Sequence, residues 1–212
     1  MLEQVQLRDG AEAWVTDLRR EDRERLASGF AELSEETRRA RFLTPMKQLS
    51  ESMLNHLVDD VDGIDHVALA LTVETAPDVF DPVAIARMVR YDDAPDAADV
   101  AVTVKDSHQG RGIASALLDV LVRHRPEGVV RLVTEVQDGN EASLAMLRRL
   151  GPTETTPNGF GAHDVTVHLA AAEQETPAAP SATPTVPLVR PARDQPRHQQ
   201  LHTRDLLCPW LS

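Results

Sequence analysis

A strand followed by a glycine-containing loop and an amphipathic helix is the feature that most constrains the fold of this chain. Residues 99–104 predict the strand, and residues 109–114, QGRGIA, form the loop after it. The helix that follows has one apolar face until Pro126, formed by Ile113, Leu117, Leu118 and Leu121. Glycines let the main chain approach a ligand closely, and the amides of a first helical turn favour an anion. The segment is therefore suited to hold the phosphates of a ligand.

Two better-known glycine loops do not match this segment. A dinucleotide-binding fingerprint would need a third glycine where the chain has Ser115, and an early strand at the N-terminus of the domain. A P-loop would need Gly-Lys-Ser or Gly-Lys-Thr at the start of the helix, and neither occurs in the sequence. Taken alone, an isolated Gly-x-Gly is better explained as a tight turn between a strand and a helix. The surrounding elements therefore have to decide.

The surrounding elements predict a mixed sheet. Strands are predicted over residues 13–18, 66–73, 83–91, 99–104, 129–136 and 163–169. Helices are predicted over residues 20–33, from Ser34 to Pro45, over residues 50–58, after the glycine loop, and over residues 140–150 with Gly151 as the closing residue. An antiparallel meander joined to a later strand–helix alternation predicts an α+β fold of three layers, α/β/α. Its central sheet would be mixed, mostly antiparallel and covered by helices on both faces.

Composition divides the chain into a domain, residues 1–172, and a Pro-rich tail, residues 173–212, that we expect to be disordered. The arginines and acidic residues of the tail are equal in number, so the formal charge of -12 lies on the domain. Such a domain disfavours nucleic acids and anionic membranes as partners and favours a cationic or neutral substrate. We expect no metal site, because His198, His202 and Cys208 lie in the tail without a fixed acidic ligand.

The compartment is predicted from three observations. The chain has a single cysteine, and its N-terminus lacks a basic start and an apolar segment of the kind that directs export. No apolar run approaches the roughly 20 residues that a membrane-spanning helix needs. The sequence therefore predicts a cytoplasmic protein.

With these elements in place, the chain resembles the GNAT superfamily of N-acetyltransferases. The resemblance rests on Gln-x-x-Gly-x-Ala after a Val-x-Val strand, and on a second motif, NEASLAMLRRLG, at residues 140–151. It covers roughly residues 5–170. Residues 34–42 and Glu135 are further similar to the GNAT domain of bacterial protein lysine acetyltransferases. The resemblance implies a GNAT fold, in which two splayed parallel strands hold acetyl-CoA.

The resemblance also implies which residues contact the acetyl-CoA co-substrate. The amides of the six-residue loop would hold the phosphates, the strand before the loop would pair with the pantetheine arm, and the second motif would contact the coenzyme. The residues concerned are Val102, Val104, Gln109, Gly110, Arg111, Gly112, Ile113, Ala114 and Asn140.

Acetyl transfer to an amine needs a base, because an alkylamine is almost wholly protonated at pH 7. Lysine acetyltransferases of this family use a glutamate at the start of the strand before the loop, and the matching residue here is the shorter Asp99. Glu135 on the neighbouring strand is the second candidate. Either acid could instead be a solvated charge at a strand end. Leu147 replaces a tyrosine of many relatives, and strand amides near Val102 would polarise the thioester oxygen.

The leading hypothesis is an N-acetyltransferase that transfers the acetyl group of acetyl-CoA to a primary amine, either a protein lysine or a small cationic amine. The alternative is a catalytically weak regulatory module that binds acetyl-CoA, because Asp99 and Leu147 depart from the family pattern. A third reading is a partner-binding protein that works through its tail. The oligomeric state is open, and so is the acceptor, which depends on the loops at residues 44–62 and 153–162.

Overall fold

The computed structural model describes residues 1–43 and 45–170. The predicted tail, with its histidines and cysteine, lies outside the described residues. The strands are β1 (Leu2–Gln6), β2 (Glu12–Asp17), β3 (His66–Ala76), β4 (Val79–Arg90), β5 (Ala97–Val104), β6 (Arg131–Gln137), β7 (Thr153–Pro157) and β8 (Ala162–His168). The α-helices are α1 (Arg23–Ala31), α2 (Glu35–Phe42), α3 (Glu51–Leu54), α4 (Ile113–Arg123) and α5 (Glu141–Arg148). A short π-helix, Asn55–Asp59, extends α3.

The eight strands form one sheet in the order β1-β2-β3-β4-β5-β6-β8-β7. Only β5 and β6 pair in parallel within the described residues, and the other neighbours are antiparallel. The parallel pair needs a crossover connection, which α4 provides. The predicted α+β fold with a mixed, mostly antiparallel sheet is confirmed.

The parallel strands part soon after they meet. Only residues 97–99 of β5 pair with residues 131–133 of β6, although both strands continue for several residues beyond that point. A gap therefore opens between the two strands towards their C-terminal ends. The predicted splay is confirmed.

Side-chain alternation divides the core between the two faces of the sheet. Leu69 and Leu71 of β3 point into the larger cluster, which also holds the apolar face of α4. Ala68 and Ala70 point to the other face, into a smaller cluster with Leu18 and residues of the segment after α3. Each large side chain buried in this way stabilises the fold by roughly 1.5–3 kcal/mol. The helix α2 buries no residue completely, so this second layer covers the sheet less tightly.

The helix starts follow from local capping. The side chain of Ser34 accepts a hydrogen bond from the amide of Thr37, and Ser50 does the same for Met53. Both serines therefore begin their helices as predicted. The helix α2 ends at Phe42, before Pro45, and Leu43 adopts a left-handed conformation with φ 58°.

The structure contains two strands that the sequence analysis does not predict, and it corrects a third point, the role of Gly151. The strands β1 and β7 lie at the two edges of the sheet, and neither contains a buried residue. Their sequences therefore lack the alternation of apolar and polar residues that predicts a half-buried strand. The third concerns Gly151, which lies beyond the helix end at Arg148 and has no left-handed φ. A Cβ on Gly151 would lie 2.0 Å from the carbonyl oxygen of His168. Close approach of the backbone, and not helix termination, requires this glycine.

Candidate active site

The backbone of β5 directs amides and carbonyls into the gap between β5 and β6. The amide of Tyr91 donates to the carbonyl of Ala97 at 3.0 Å, and the amide of Lys105 donates to the carbonyl of Val83 at 2.8 Å. Since hydrogen-bonded positions alternate along an antiparallel pair, the odd-numbered residues of β5 bond to β4. The amides and carbonyls of Val102 and Val104 therefore face the gap.

The glycine loop ends in an uncapped helix N-terminus. Gly110 and Gly112 have φ values of 78° and 84°, in the left-handed region that favours glycine. Gly112 is the N-cap of α4 and offers no side chain to the first amides of the helix. Within the described residues, the amides of Ile113 and Ala114 donate to no protein acceptor. These amides lie at the positive end of the α4 helix dipole and are free to bind an anion.

The side chains of Gln109 and Arg111 are engaged by the protein. Gln109 Nε2 donates to Thr37 Oγ1 at 3.1 Å and to the carbonyl of Val104 at 3.3 Å. Arg111 Nε donates to Asp9 Oδ2 at 2.6 Å, and this bond lowers the pKa of the Asp9 carboxyl. The two side chains thus anchor the loop to α2 and to the β1–β2 turn. The loop's backbone amides, and not these side chains, are left to face a ligand.

Asn140 and Ile113 also have structural roles. Asn140 is the N-cap of α5, and its Oδ1 accepts from the amide of Ser143 at 3.1 Å. The Ile113 side chain is buried in the core beside α4, so only its backbone could contact a coenzyme. The coenzyme contacts predicted for these residues stay predictions.

Asp99 lies on the face of the sheet opposite α4. Its side chain is partly buried and has the same parity on β5 as Ala101 and Thr103. Burial raises the pKa of the Asp99 carboxyl, and the nearby positive charges of Arg87 and Arg41 oppose that rise. A raised pKa in a partly buried carboxyl is typical of a general base, although buried ion networks produce it too.

Arg87 of β4 belongs to a series of hydrogen-bonded polar side chains on the Asp99 face of the sheet. Its Nη2 donates to His56 Nε2 at 3.0 Å, and His56 Nδ1 faces Asp60 Oδ2 at 3.3 Å. Because a guanidinium can only donate, His56 Nε2 must be the acceptor, so the ring is neutral with its proton on Nδ1. Burial and the charge of Arg87 accordingly lower the pKa of His56.

Glu135 shares the Asp99 face of the sheet. Asp99 pairs with Val133, which is two residues before Glu135 on β6, so the three side chains point to the same side. Asn158 Nδ2 donates to Glu135 Oε1 at 2.6 Å. Burial raises the pKa of Glu135, and the charges of Asp164 and Asp99 add to the rise. The two acids predicted from the sequence therefore lie on a common face.

Tyr91 lies on that face as well. Its side chain is buried and its hydroxyl has no hydrogen-bond partner in the described part of the chain. Burial raises the pKa of Tyr91, and the charges of Asp99 and Glu135 raise it further. The hydroxyl therefore stays protonated and can donate a proton or a hydrogen bond.

Sequence reasoning did not single out Arg41, Arg87, His56 or Tyr91 as site residues. The available signal was a pair of polar side chains four residues apart in a strand that otherwise carries core residues, because an even spacing puts both on one face. Arg87 and Tyr91 have that spacing, but their alignment with Asp99 depends on the register between β4 and β5.

A cavity of about 360 Å³ lies between this face and the first helices. Its wall is mostly apolar and includes Leu26, Phe30, Phe42, Ile85 and Ala101. Arg41 and Arg87 contribute charge to the same wall. The cavity and the β5–β6 gap thus approach β5 from two directions, which suits a reaction between two substrates.

A sequence model of the Acetyltransferase (GNAT) family matches residues 30–151, which is more than half of the chain. The chain belongs to this GNAT family. The predicted family is thereby confirmed, and the match contains the glycine loop and the second motif of this GNAT domain.

Two curated relatives and one solved structure are similar to this chain over most of its GNAT domain. Acetyltransferase Pat of Mycolicibacterium smegmatis is 35% identical over 148 residues, which is 69% of this chain and 43% of the relative. Acetyltransferase PA5475 of Pseudomonas aeruginosa is 32% identical over 116 residues, 55% of this chain and 61% of the relative. The crystal structure of the GNAT domain of S. lividans PAT is 30% identical with a TM-score of 0.70, covering 79% of this chain and 97% of that one. This chain spans less than two thirds of either curated relative.

Two other kinds of site, a metal centre and a membrane-spanning helix, are absent from the described residues. Among residues 1–43 and 45–170, no three His, Cys, Asp or Glu side chains are grouped as metal ligands would be. No helix of the described chain combines the length and apolar character that crossing a membrane demands.

Proposed function

We propose that this GNAT protein transfers the acetyl group of acetyl-CoA to a primary amine. The observation that carries the proposal is the gap between β5 and β6, with unpaired strand amides on one side and the uncapped N-terminus of α4 at its end. A phosphate-bearing ligand with an extended amide arm matches both features. The family membership of the chain supports the same donor.

The residues present fit acetyl-CoA. The amides of Gly112, Ile113 and Ala114 would hold the diphosphate, because they point out of the helix without protein acceptors. Val102 and Val104 would pair with the pantetheine arm as a neighbouring strand does, although the Val104 carbonyl is shared with Gln109. When bound, acetyl-CoA supplies the acetyl group as a thioester. The amide of Val102 would stabilise negative charge on the thioester oxygen.

Asp99 would act as the general base. It accepts a proton from the ammonium form of the acceptor, which frees the nitrogen lone pair to form the amide C–N bond while the C–S bond breaks. The second proton of the attacking nitrogen goes to the departing sulfur, and the buried hydroxyl of Tyr91 can relay it. Glu135 on the same face is the second candidate for the base, and its bond to Asn158 gives it a more fixed position.

Two classes of acceptor follow from the sequence. The similarity of residues 34–42 and Glu135 to bacterial protein lysine acetyltransferases supports a protein lysine. The acidic charge of the domain supports a small cationic amine.

The proposal is tested by thiol release and by calorimetry. We expect acetyl-CoA to bind the full chain, and we expect thiol release when an amine is added from a panel of lysine peptides, polyamines and amino acids. Calorimetry that detects no heat with acetyl-CoA would refute the proposal. Binding without turnover of any amine would support the alternative, a regulatory module that binds acetyl-CoA.

A further inference from the structure

The cavity cations fall into two groups according to their partners. Lys105 Nζ pairs with Glu32 at 2.9 Å and with Asp81 at 3.1 Å, and Arg25 faces Asp22 at 3.7 Å. Arg41 and Arg87, in contrast, form no ion pair with any described residue. Arg41 contacts the ring of Phe42, with 4.8 Å between its Cζ and the ring centroid. Two guanidinium groups in one cavity therefore lack a matching anion.

Arg87 has donors that no described residue accepts from. Its side chain is 9% exposed, and its Nε and Nη1 atoms are buried without a hydrogen-bond partner. Only Nη2 is used, in the bond to His56. The free Nε and Nη1 donors lie in a residue that lines the cavity. Buried donors are normally paired in native proteins, so an unpaired set in a cavity wall points to a ligand.

The charges around the cavity favour an anionic ligand. Arg41 and Arg87 repel one another, and burial together with this repulsion lowers the pKa of Arg41 to about 10. The charge of Asp99 acts on both groups and that of Asp60 acts on Arg87, but neither acid forms an ion pair with Arg41 or Arg87. His56 is neutral because it accepts from Arg87. The two guanidinium groups therefore have room for a direct anionic partner, which a bound group would supply.

We propose that the cavity binds an amino acid with an apolar side chain as the acetyl acceptor, with the carboxylate on Arg87 and Arg41. This inference rests on the proposed function and narrows its acceptor. A carboxylate fits the planar fork of a guanidinium and supplies the acceptor oxygens that the free donors of Arg87 lack. The largely apolar wall would take the side chain, and a cavity of about 360 Å³ is of the size that small-molecule ligands occupy.

The register places the two ends of such an acceptor suitably. Arg87 pairs with Ala101 and Val89 pairs with Asp99, so Arg87 and Asp99 are diagonal neighbours on one face. Their Cβ atoms are then roughly 7–8 Å apart. Asp99 precedes the lining residue Ala101 by two positions on the same face of β5. An α-amino group is two bonds from its carboxylate carbon, so a carboxylate on Arg87 would direct the amine along β5 towards Asp99. The amine gives one proton to Asp99 and one to the sulfur as the C–N bond forms, and the carboxylate keeps its charge.

The test compares acceptors that differ only in the carboxylate. Thiol release is measured with the full chain, acetyl-CoA and either L-leucine or 3-methylbutylamine, which has the same skeleton without the carboxylate. We expect kcat/KM to be about 10- to 100-fold higher for leucine, as hydrogen bonds to a charged group provide. Equal kcat/KM values for the two amines would overturn the inference.

Variants identify the groups responsible. Arg87→Met should lower kcat/KM for leucine by about the same factor relative to that for 3-methylbutylamine, so the ratio approaches one. Any effect of the lost charge on the Asp99 base acts on both amines and leaves the ratio as the readout. Arg25→Met is the matched control, because Arg25 lines the same cavity but already has Asp22 as a partner. It should keep the ratio. If Arg87→Met does not fold, Arg41→Met replaces it, since Arg41 is only partly buried.

A binding measurement separates this inference from the proposed function. Calorimetry with 4-methylpentanoate, which is leucine without its amine, should detect binding in the wild type and much weaker binding in the Arg87 or Arg41 variant. Turnover of a lysine peptide without turnover of leucine would overturn the inference and leave the proposed function intact. Absence of any turnover, with 4-methylpentanoate still bound through Arg87, would refute the proposed function and the acceptor role together and retain only the anion site.

Discussion

Replacing Asp99 by asparagine removes the carboxylate that we propose as the general base and keeps the shape of the side chain. A positioned base contributes about 100- to 10,000-fold to the rate. We therefore expect kcat to fall by that factor, which corresponds to about 2.7–5.4 kcal/mol of transition-state stabilisation. Acetyl-CoA affinity should stay unchanged, because Asp99 lies on β5 with its side chain on the face opposite α4 and the glycine loop.

Stability gives the same substitution a second readout. Burial raises the pKa of Asp99, so the folded state favours its protonated form more than the unfolded chain does. The stability that this group contributes is fully present below the ordinary Asp pKa of 3.8 and is lost as the pH rises through the raised pKa. Asparagine does not titrate, so Asp99→Asn does not lose stability in this way. The melting temperature of the variant minus that of the wild type should therefore increase as the pH rises through this window. A loss of activity would then not reflect unfolding.

The assay measures kcat/KM against pH together with thermal unfolding. In the wild type, kcat/KM should rise with pH through the pKa of Asp99, and this limb should be absent in Asp99→Asn. Asp99→Glu keeps a carboxylate at this position and adds one methylene, so it is the matched control. A kcat for Asp99→Asn within tenfold of the wild type would refute the assignment of the base. A large loss in Glu135→Gln would then transfer the role to Glu135.

Two glycines give further predictions. Gly112→Ala should cost about 1–2 kcal/mol of left-handed strain, and more because its Cβ would lie 3.2 Å from Arg8 Cβ. Gly110→Ala should cost only the strain of the left-handed backbone, because no atom lies within 4 Å of the added Cβ. The melting temperature of this variant should therefore fall less than that of Gly112→Ala. Calorimetry should show weaker acetyl-CoA binding for Gly112→Ala, and unchanged affinity would contradict the role of the loop. Gly151→Ala should destabilise the domain by about 1–3 kcal/mol or more, because its Cβ would meet the His168 carbonyl. A free energy of unfolding in denaturant within about 0.5 kcal/mol of the wild type would argue against this packing.

Local signals in the sequence were enough to predict the strand, loop and helix that define the family. The alternation of β5, the glycines at positions 110 and 112, and the apolar face of α4 are each read from neighbouring residues. Ser34 and Ser50 could likewise be recognised as helix starts, because capping involves residues three apart. The order of the predicted elements indicated the mixed sheet, and the family resemblance added its splayed strands.

The cavity that we propose for the acceptor was decided only by the tertiary structure. Arg41 lies on α2, Arg87 on β4 and Asp99 on β5, and these elements are far apart in the chain. The period of a strand shows which of its own residues share a face, but it does not show which strand lies beside it or in which register. The acidic composition of the domain favoured a cationic acceptor, whereas the folded cavity concentrates unmatched positive charge. Net charge sums over the whole chain, and recognition depends on the few side chains that folding brings together.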